Sequence, residues 1–202
     1  MLISGFITES RKTAQYPGPG TIAGLGYVVF GLCGEVGECF EVAKKIVRDD
    51  GGVLTDAKKE RYIKEAGDVC WYFSQLMVES AVVPTVFDAD ANEYQAEIKS
   101  QSPDHEGLSG VNSNLVGAHN AVNNILMDFA RLTNMGDAGE DAVEDILLTM
   151  VKSGIEVLNC LCNILSCLDV TLEDVFQTNL DKLNARKEAG KIKGDGEELG
   201  DR

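Results

Sequence analysis

The sequence is short of basic residues and of histidine. Its 202 residues include 18 lysines and arginines against 33 acidic residues, which gives a formal net charge of −15 at pH 7. Binding to the phosphate backbone of nucleic acids depends on clustered lysine and arginine. The composition therefore disfavours DNA or RNA as a partner. It still allows a small phosphorylated ligand, because a bound cation reverses the local field.

Histidine and cysteine motifs for soft or redox-active metals are also missing. Di-iron carboxylate bundles use Glu-x-x-His motifs, and neither His105 nor His119 follows a glutamate at that step. The six cysteines form no Cys-x-x-Cys pair and have no histidine at zinc-binding spacing. They all fall in apolar helical patterns: Cys33, Cys39, Cys70, Cys160, Cys162 and Cys167. We expect buried free thiols in a reducing environment.

Secretion, membrane and strand signals are absent too. The start MLISGFITESRKTAQ has no basic region followed by a long apolar core, and no apolar run approaches a membrane span. No strand-like alternation extends over a useful length. We therefore predict an all-α, cytoplasmic protein without a membrane partner.

Apolar residues at three- and four-residue steps predict five helices. These helices cover about 22–47, 56–79, 113–134, 139–168 and 171–188. The sequence DDGG ends the first, and Thr55 or Asp56 can cap the second. Thr171 with Asp174 resembles a capping box at the start of the last.

We interpret residues 1–202 as one all-α domain. Its parts are a polar N-terminal stretch ending in YPGPGT, acidic helices in 20–79, a polar surface connection in 80–112 with a short helix near 90–99, further helices in 113–188 that pack on the first half, and a flexible tail in 189–202.

Two acidic pairs stand inside the first two apolar helices. Glu35 and Glu38 occur in GLCGEVGE, and Glu65 and Asp68 occur in KEAGDVCWY. Residues three apart share a helix face, with Cβ atoms about 5–6 Å apart. If the two helices pack antiparallel, four carboxylates converge on a site suited to Mg²⁺, with Mn²⁺ as an alternative. Such pairs also occur on solvated helix faces, which is the alternative interpretation.

Glycines flank the acids at positions 34, 37 and 67. A glycine inside a helix costs roughly 1 kcal/mol relative to alanine. Three of them beside the same carboxylates indicate that space is needed there, either for a close helix contact or for a ligand.

The order Glu-x-x-Glu, 26 intervening residues, then Glu-x-x-Asp resembles the MazG-type all-α nucleoside triphosphate pyrophosphohydrolases. The resemblance extends to RKTAQYPGPG, AKKIVRDDGGVL, EAGDVCWYFSQL and NLDKLNARKEAGKIKGDG, and covers about 11–79 and 169–202. The extra helices between these regions are not explained by short family members. The tail also departs from the family, because Glu197, Glu198 and Leu199 precede the final Gly-Asp-Arg.

The resemblance implies Mg²⁺-dependent hydrolysis of a nucleoside triphosphate to a monophosphate and pyrophosphate, in nucleotide-pool control or house-cleaning. Glu35, Glu38, Glu65 and Asp68 would then hold the metal. Glu38 or Glu35 would act as the catalytic residue, with Glu38 preferred by similarity as the group that orients or deprotonates the attacking water.

Five further residues are candidates for binding the substrate. Lys45 lies seven residues after Glu38, and Tyr72 lies four residues after Asp68, so each shares a helix face with an acid. Asn179, Lys182 and Arg186 form one helical stripe that fits the family's phosphate-facing residues. The alternatives are a lysine extending from a helix end, a core tyrosine and a solvated basic face.

Several functional questions stay open at this stage. Trp71 and Tyr72 favour a nucleobase near the second acidic helix, and a pyrimidine deoxynucleotide is the first substrate we would test. A nonenzymatic nucleotide-binding protein and an alarmone hydrolase are the alternatives. Two acidic helices cannot bury both apolar faces alone. Short members of the family find partner helices in another subunit, whereas here the extra helices can take that place within the chain. They therefore favour a homodimer, or even a monomer, over a larger homo-oligomer such as a tetramer.

Overall fold

The computed structural model describes residues 1–101, 107–136 and 139–191, and they are all-α, with no sheet in these ranges. The helices are α1 (Ile3–Arg11), α2 (Ile22–Asp49), α3 (Asp56–Glu79), a 3₁₀ turn (Pro84–Phe87), α4 (Ala91–Gln101), α5 (Gly107–Asn134), α6 (Glu140–Cys167) and α7 (Leu172–Glu188). The five predicted helices are all present, with boundaries close to those expected.

Capping chemistry explains several of these boundaries. Thr55 accepts a hydrogen bond from the backbone N–H of Lys58 at the start of α3. Thr171 does the same for Asp174 at the start of α7, at 3.1 Å. Both contacts satisfy helix N–H groups that have no partner inside the helix. The link between α2 and α3 turns at Gly51 and Gly52, whose positive φ angles favour glycine.

Two helical hairpins make the centre of the molecule. α2 packs on α3, α5 packs on α6, and the hairpins join through contacts of α2 with α5 and of α3 with α6. Their facing sides bury the core, for example at Leu32, Phe73, Ile125 and Met150. The prediction that the helices after residue 113 pack on the first half is confirmed.

The first 23 residues are not simply a polar stretch. They contain α1, whose Ile3, Phe6 and Ile7 are buried. Phe6 stacks on Phe176 of α7 with ring centroids 4.0 Å apart. The apolar positions in α1 follow the three- and four-residue steps of a helix, but the segment is too short for the pattern to stand out.

The 80–112 segment is not a surface connection throughout. It contains the 3₁₀ turn and α4, and α4 confirms the predicted short helix near 90–99. This helix does not stand apart on the surface, because it packs on α6 and α7. Gln95 of α4 is buried and donates to the carbonyl of Val170, while its Oε1 accepts from the N–H of Leu172. The polar residue Gln95 therefore joins α4 to the start of α7. The low apolar content of the 80–112 segment did not mean that the whole segment is exposed.

By length and composition, α2 could cross a membrane. An 18-residue window in it has a mean hydropathy of 1.3, contrary to the expectation from sequence. α6 and α7 would qualify as a second span only if counted together across their 104° bend. Because 44% of the α2 window is already buried inside the protein, and core helices often meet the same criteria, we give this finding little weight.

The cysteines lie as the sequence predicted. All six are free thiols; Cys39, Cys70 and Cys162 are buried, and the other three are partly buried. The predicted tail can be compared only up to Lys191, and Glu197 to Arg202 lie outside the described residues.

Candidate metal and nucleotide site

Three of the four predicted acids meet between α2 and α3. One carboxylate oxygen from each of Glu35, Glu65 and Asp68 lies within 4.8 Å of the others. Glu65 and Asp68 come from one face of α3, and Glu35 faces them from α2, as the spacing of the acids predicts. All three residues are partly buried.

The cluster is electrostatically unfavourable in its ionised form. Burial raises the pKa of Glu35 to about 8, and repulsion from Asp68 and Glu65 adds to the shift. Burial also raises the pKa of Glu65, against the attraction of Arg61. A divalent cation between these groups would remove the repulsion and favour the ionised carboxylates.

Helix α7 brings two predicted residues to the same cluster. Asn179 donates from Nδ2 to Asp68 Oδ1 at 3.0 Å, and Lys182 donates from Nζ to Asp68 Oδ2 at 2.7 Å. Gly67 permits this approach, because a Cβ at that position would lie 3.0 Å from the Cβ of Asn179. The expectation that a glycine provides a close helix contact is therefore met at Gly67. Gly34 and Gly37 instead face open space.

Glu38 does not join the other three acids. Its side chain is 52% exposed, and its nearest cationic group is Arg61, whose Nη2 lies 3.9 Å from Glu38 Oε2. The Nε atom of Arg61 is 3.3 Å from Glu65 Oε1. Arg61 thus connects Glu38 to the edge of the cluster. The i, i+3 spacing correctly predicted that an acid on this face of α2 meets the acids of α3. It did not predict where the two helices cross, and α3 crosses α2 nearer to Glu35 than to Glu38.

Lys45 is also outside the group that the structure brings together. Its Nζ lies 3.9 Å from Glu41 on the same helix, and the residue does not line the pocket beside the acids. A spacing of seven residues amounts to about 10 Å along a helix, which carries Lys45 beyond the cluster.

An open pocket of about 210 Å³ begins at the acids. Glu35, Asp68 and the basic residues Arg186 and Lys191 contribute to its lining. The remaining lining residues come from the segment before α2, from the aromatic residues of α2 and α3, and from α7: Thr13, Gln15, Tyr16, Tyr27, Trp71, Tyr72 and Leu183. One cavity therefore combines carboxylates, cationic side chains and aromatic rings.

The aromatic wall is tightly arranged. Trp71 and Tyr72 pack edge to face with centroids 4.8 Å apart, and Tyr16 stacks on Tyr27 at 5.0 Å. Gly31 makes room for Tyr72, since a Cβ at residue 31 would lie 2.0 Å from the ring. Tyr72 thus lines the pocket and also packs against its neighbours, so its position is compatible with both interpretations of it.

Several lining residues were missed in the sequence. Thr13, Gln15 and Tyr16 come from a segment without regular structure, and Tyr27 lies eight residues before Glu35 on α2. A spacing of eight places Tyr27 near the Glu35 face, a signal that was available. Nothing in the local sequence placed the irregular segment over α3.

The donor set fits a hard divalent cation. Oxygen ligands of octahedral Mg²⁺ lie about 3.0 Å apart when adjacent and about 4.2 Å apart when opposite, from a metal–oxygen distance of about 2.1 Å. One oxygen from each of the three carboxylates lies within 4.8 Å of the others, so the three groups are close enough to share one ion. The buried Oδ1 of Asn179 has no hydrogen-bond partner among the residues that the structure describes. This oxygen lies near the acids and can accept a hydrogen bond from a ligand bound to the metal.

Comparison with known proteins gives a family but no activity. No protein-family profile matches the chain, and no solved structure matches it significantly. The gene 37 protein of Mycobacterium phage L5 is 43% identical over 91 residues, a region that spans 43% of this chain and 80% of the phage protein. At that identity and coverage, the chain belongs to the same family as the gene 37 protein of Mycobacterium phage L5.

Proposed function

We propose that the protein is a Mg²⁺-dependent nucleoside triphosphate pyrophosphohydrolase. The observation that carries the proposal is the convergence of Glu35, Glu65 and Asp68 at a pocket that also holds Arg186 and aromatic side chains. The resemblance to MazG-type enzymes supports it through the segments around these acids, such as RKTAQYPGPG and NLDKLNARKEAGKIKGDG. A triphosphate requires cationic partners, and a nucleobase favours aromatic ones, so a single pocket with both matches both ends of a nucleotide.

The substrate is oriented by the distribution of charge in this pocket. The phosphates lie at the acid cluster with Arg186 and Lys191, and the base lies toward Trp71 and Tyr72. A Mg²⁺ ion held by the three carboxylates neutralises charge on the phosphate oxygens. Manganese can take the same oxygen ligands. Lys182 and Asn179 fix the orientation of Asp68 through their hydrogen bonds.

In the proposed reaction, a water oxygen bonds to the α-phosphorus and the bond from that phosphorus to the bridging oxygen breaks. The products are a nucleoside monophosphate and pyrophosphate, and the water's proton passes to a carboxylate. Glu38 stays our candidate for orienting this water, because Arg61 holds it beside the cluster rather than inside it. Glu35 is the alternative acceptor.

Product analysis tests this assignment. Phosphorus NMR of the protein with a panel of nucleoside and deoxynucleoside triphosphates should show monophosphate and pyrophosphate as the first products, and EDTA should abolish their formation. Deoxypyrimidine nucleotides come first in the panel. Reaction in ¹⁸O-labelled water should place the label on the monophosphate, because the α-phosphorus is attacked. Orthophosphate as the first product would contradict the proposal.

The role of Glu38 is tested separately. Glu38→Gln should lower kcat at least about 100-fold if the residue orients the water, while circular dichroism shows an unchanged helical spectrum. Glu41→Gln is a matched control on the next turn of α2, where the acid pairs with Lys44. A normal kcat in Glu38→Gln would indicate that Glu35, and not Glu38, orients the water.

The position of Glu38 favours one rival function. Among the described residues three acids converge, and Glu38 is not one of them. A protein that binds nucleotides without hydrolysing them would need no change elsewhere in the pocket. Tight Mg²⁺-dependent binding of a triphosphate that is recovered intact after long incubation would support this rival over the enzyme.

A further inference from the structure

Glu79, the last residue of α3, is the centre of a buried polar network. Its side chain is only 1% exposed. One oxygen accepts from the hydroxyl of Tyr16 at 2.5 Å and from Arg11 Nη1 at 3.1 Å. The other oxygen accepts from the backbone N–H of Gly20 at 2.6 Å. All three donors belong to the chain before α2.

The chain held by Glu79 forms one wall of the nucleotide pocket. We call residues 12–21, between α1 and α2, the entry segment. Its Thr13 accepts a hydrogen bond from Trp71 Nε1 at 3.0 Å, and its Tyr16 meets Trp71 edge to face at 6.2 Å. Thr13, Gln15 and Tyr16 all line the pocket. The shape of the aromatic end therefore depends on where this segment lies.

The entry segment has few anchors of its own. It contains no helix or strand, and Gly18 and Gly20 adopt positive φ angles. One anchor is the start of α2, where a Cβ at Gly24 would lie 2.2 Å from the carbonyl oxygen of Gly18. At the other side, two residues of α3 hold the segment: Trp71 through Thr13, and Glu79 through Tyr16 and Gly20. The segment thus lies between the first turn of α2 and these two positions on α3.

Glu79 is too far from the acids to take part in the reaction directly. It follows Asp68 by 11 residues on α3, which corresponds to about 16 Å along the helix axis. Of its three donors, Tyr16 lines the aromatic end of the pocket, and Gly20 belongs to the same entry segment. Any influence on the reaction must therefore act through Tyr16 and the entry segment.

We propose that Glu79 is a positioning residue that sets the base-binding end of the pocket by holding Tyr16 and Gly20. The proposal rests on the proposed nucleotide site and adds the residue that determines selectivity among bases. A buried carboxylate that accepts several hydrogen bonds fixes its donors more firmly than a neutral group, because charge-assisted hydrogen bonds are about twice as strong. Losing it frees the wall and weakens discrimination, while the acids keep their geometry.

Trp71 provides a direct readout because it is the only tryptophan in the chain and lines the pocket. Nucleoside monophosphates with different bases are titrated into the protein with Mg²⁺ while Trp71 fluorescence is recorded. Glu79→Ala should weaken binding of the preferred base at least about 10-fold, the loss expected for a buried charged hydrogen bond of about 1.4 kcal/mol or more. The ratio between preferred and disfavoured bases should fall by a similar factor.

Conservative variants distinguish the loss of a positioning contact from a general loss of folding. Glu79→Gln keeps the size and one acceptor, and should lie between Glu79→Ala and the parent protein. Tyr16→Phe removes only one hydroxyl, and should move affinity in the same direction by about 3-fold, equivalent to about 0.6 kcal/mol. Glu9→Gln is the matched control, since Glu9 pairs with exposed Lys12 and not with Tyr16. It should leave binding unchanged.

Kinetics and quenching complete the test. In an active protein, Glu79→Ala should raise KM and leave kcat within about 3-fold, because the interaction acts on binding rather than on the transition state. Without any ligand, Glu79→Ala should make Trp71 easier to quench with acrylamide, and Glu9→Gln should not. The quenching result holds even if no nucleotide binds, so failure of the proposed function would be recognised separately. Unchanged quenching and base preference in Glu79→Ala would overturn the proposal.

Discussion

At the scale of single residues, Glu35 is the most strongly perturbed acid of the cluster. Burial and repulsion from Asp68, Glu65 and Glu38 raise its pKa to about 8, and Lys182 acts in the opposite direction. In the unfolded chain this carboxyl titrates near 4.5. Between these values the unfolded state loses a proton that the folded state keeps, so the free energy of unfolding falls as pH rises.

We therefore expect the metal-free protein in EDTA to lose stability from pH 5 to pH 8, and Glu35→Gln to remove much of that loss. A difference of at least about 1 kcal/mol would appear as roughly 2–4 °C in Tm. Thermal unfolding followed by circular dichroism measures it. Glu60→Gln, on an exposed position of α3, is the control and should keep the parent's slope. An equally steep slope in Glu35→Gln would contradict the burial argument.

The sequence predicted all three acids of the cluster, but it also assigned to it Glu38, which lies apart. Glu35, Glu65 and Asp68 converge because helical spacing fixes which side chains share a face. Glu38 and Lys45 lie apart because spacing does not fix where two helices cross. Gln15 and Tyr16 reach the pocket through long-range contacts of an irregular segment, and such contacts leave no periodic signal.

At the scale of elements, α2 offers a matched pair of glycines. A Cβ at Gly31 would lie 2.0 Å from the ring of Tyr72, whereas a Cβ at Gly34 meets nothing within 4 Å. Gly34→Ala should raise the free energy of unfolding by about 0.5–1 kcal/mol, the usual gain for alanine over glycine in a helix. Gly31→Ala should lower it by about 1–3 kcal/mol through overpacking.

Urea denaturation of the two variants measures this difference, and nucleotide titration should show weaker binding in Gly31→Ala because Tyr72 must move. If both alanines stabilised the protein equally, Tyr72 would not pack against α2 as described.

Element boundaries were more predictable than element partners. Thr55, Thr171 and the glycines at 51 and 52 mark helix ends through local hydrogen bonds and backbone angles, which act within a few residues. The packing of α1 and α4 depended on contacts far along the chain, such as Phe6 with Phe176 and Gln95 with Val170. The local amino-acid composition of α1 and α4 does not predict which residues they contact.

At the scale of the whole molecule, an exposed phenylalanine that packs on a partly buried one marks the α2–α5 surface. Phe30 is 62% exposed and contacts Phe129 of α5 edge to face at 5.6 Å. The predicted dimer would bury this pair. We expect sedimentation velocity to show a dimer, and Phe30→Lys to shift it toward the monomer. Met127→Lys is the control, because Met127 is 67% exposed on α5. It lies two residues from Phe129, and side chains two residues apart do not share a helix face. This variant should leave the dimer unchanged. A monomeric parent protein would contradict the prediction.

The proposed activity depends on which acids would hold the metal. α6 carries a second acidic pair, Asp141 and Glu144, at the same spacing as the acids of α3 but fully on the surface. It provides a control of matched charge and spacing for Asp68. Comparing variants of the two sites therefore distinguishes an effect of the specific cluster from a general effect of removing acidic charge.

The most direct measurement is the rate of pyrophosphate release from the best triphosphate, with Mg²⁺ and with EDTA, for the parent protein, Asp68→Asn and the Asp141→Asn, Glu144→Gln double variant. We predict metal-dependent release by the parent, a loss of at least about 100-fold in Asp68→Asn, and a rate within about 3-fold of the parent in the double variant. Release that persists in EDTA, or equal losses in the two variants, would contradict the account.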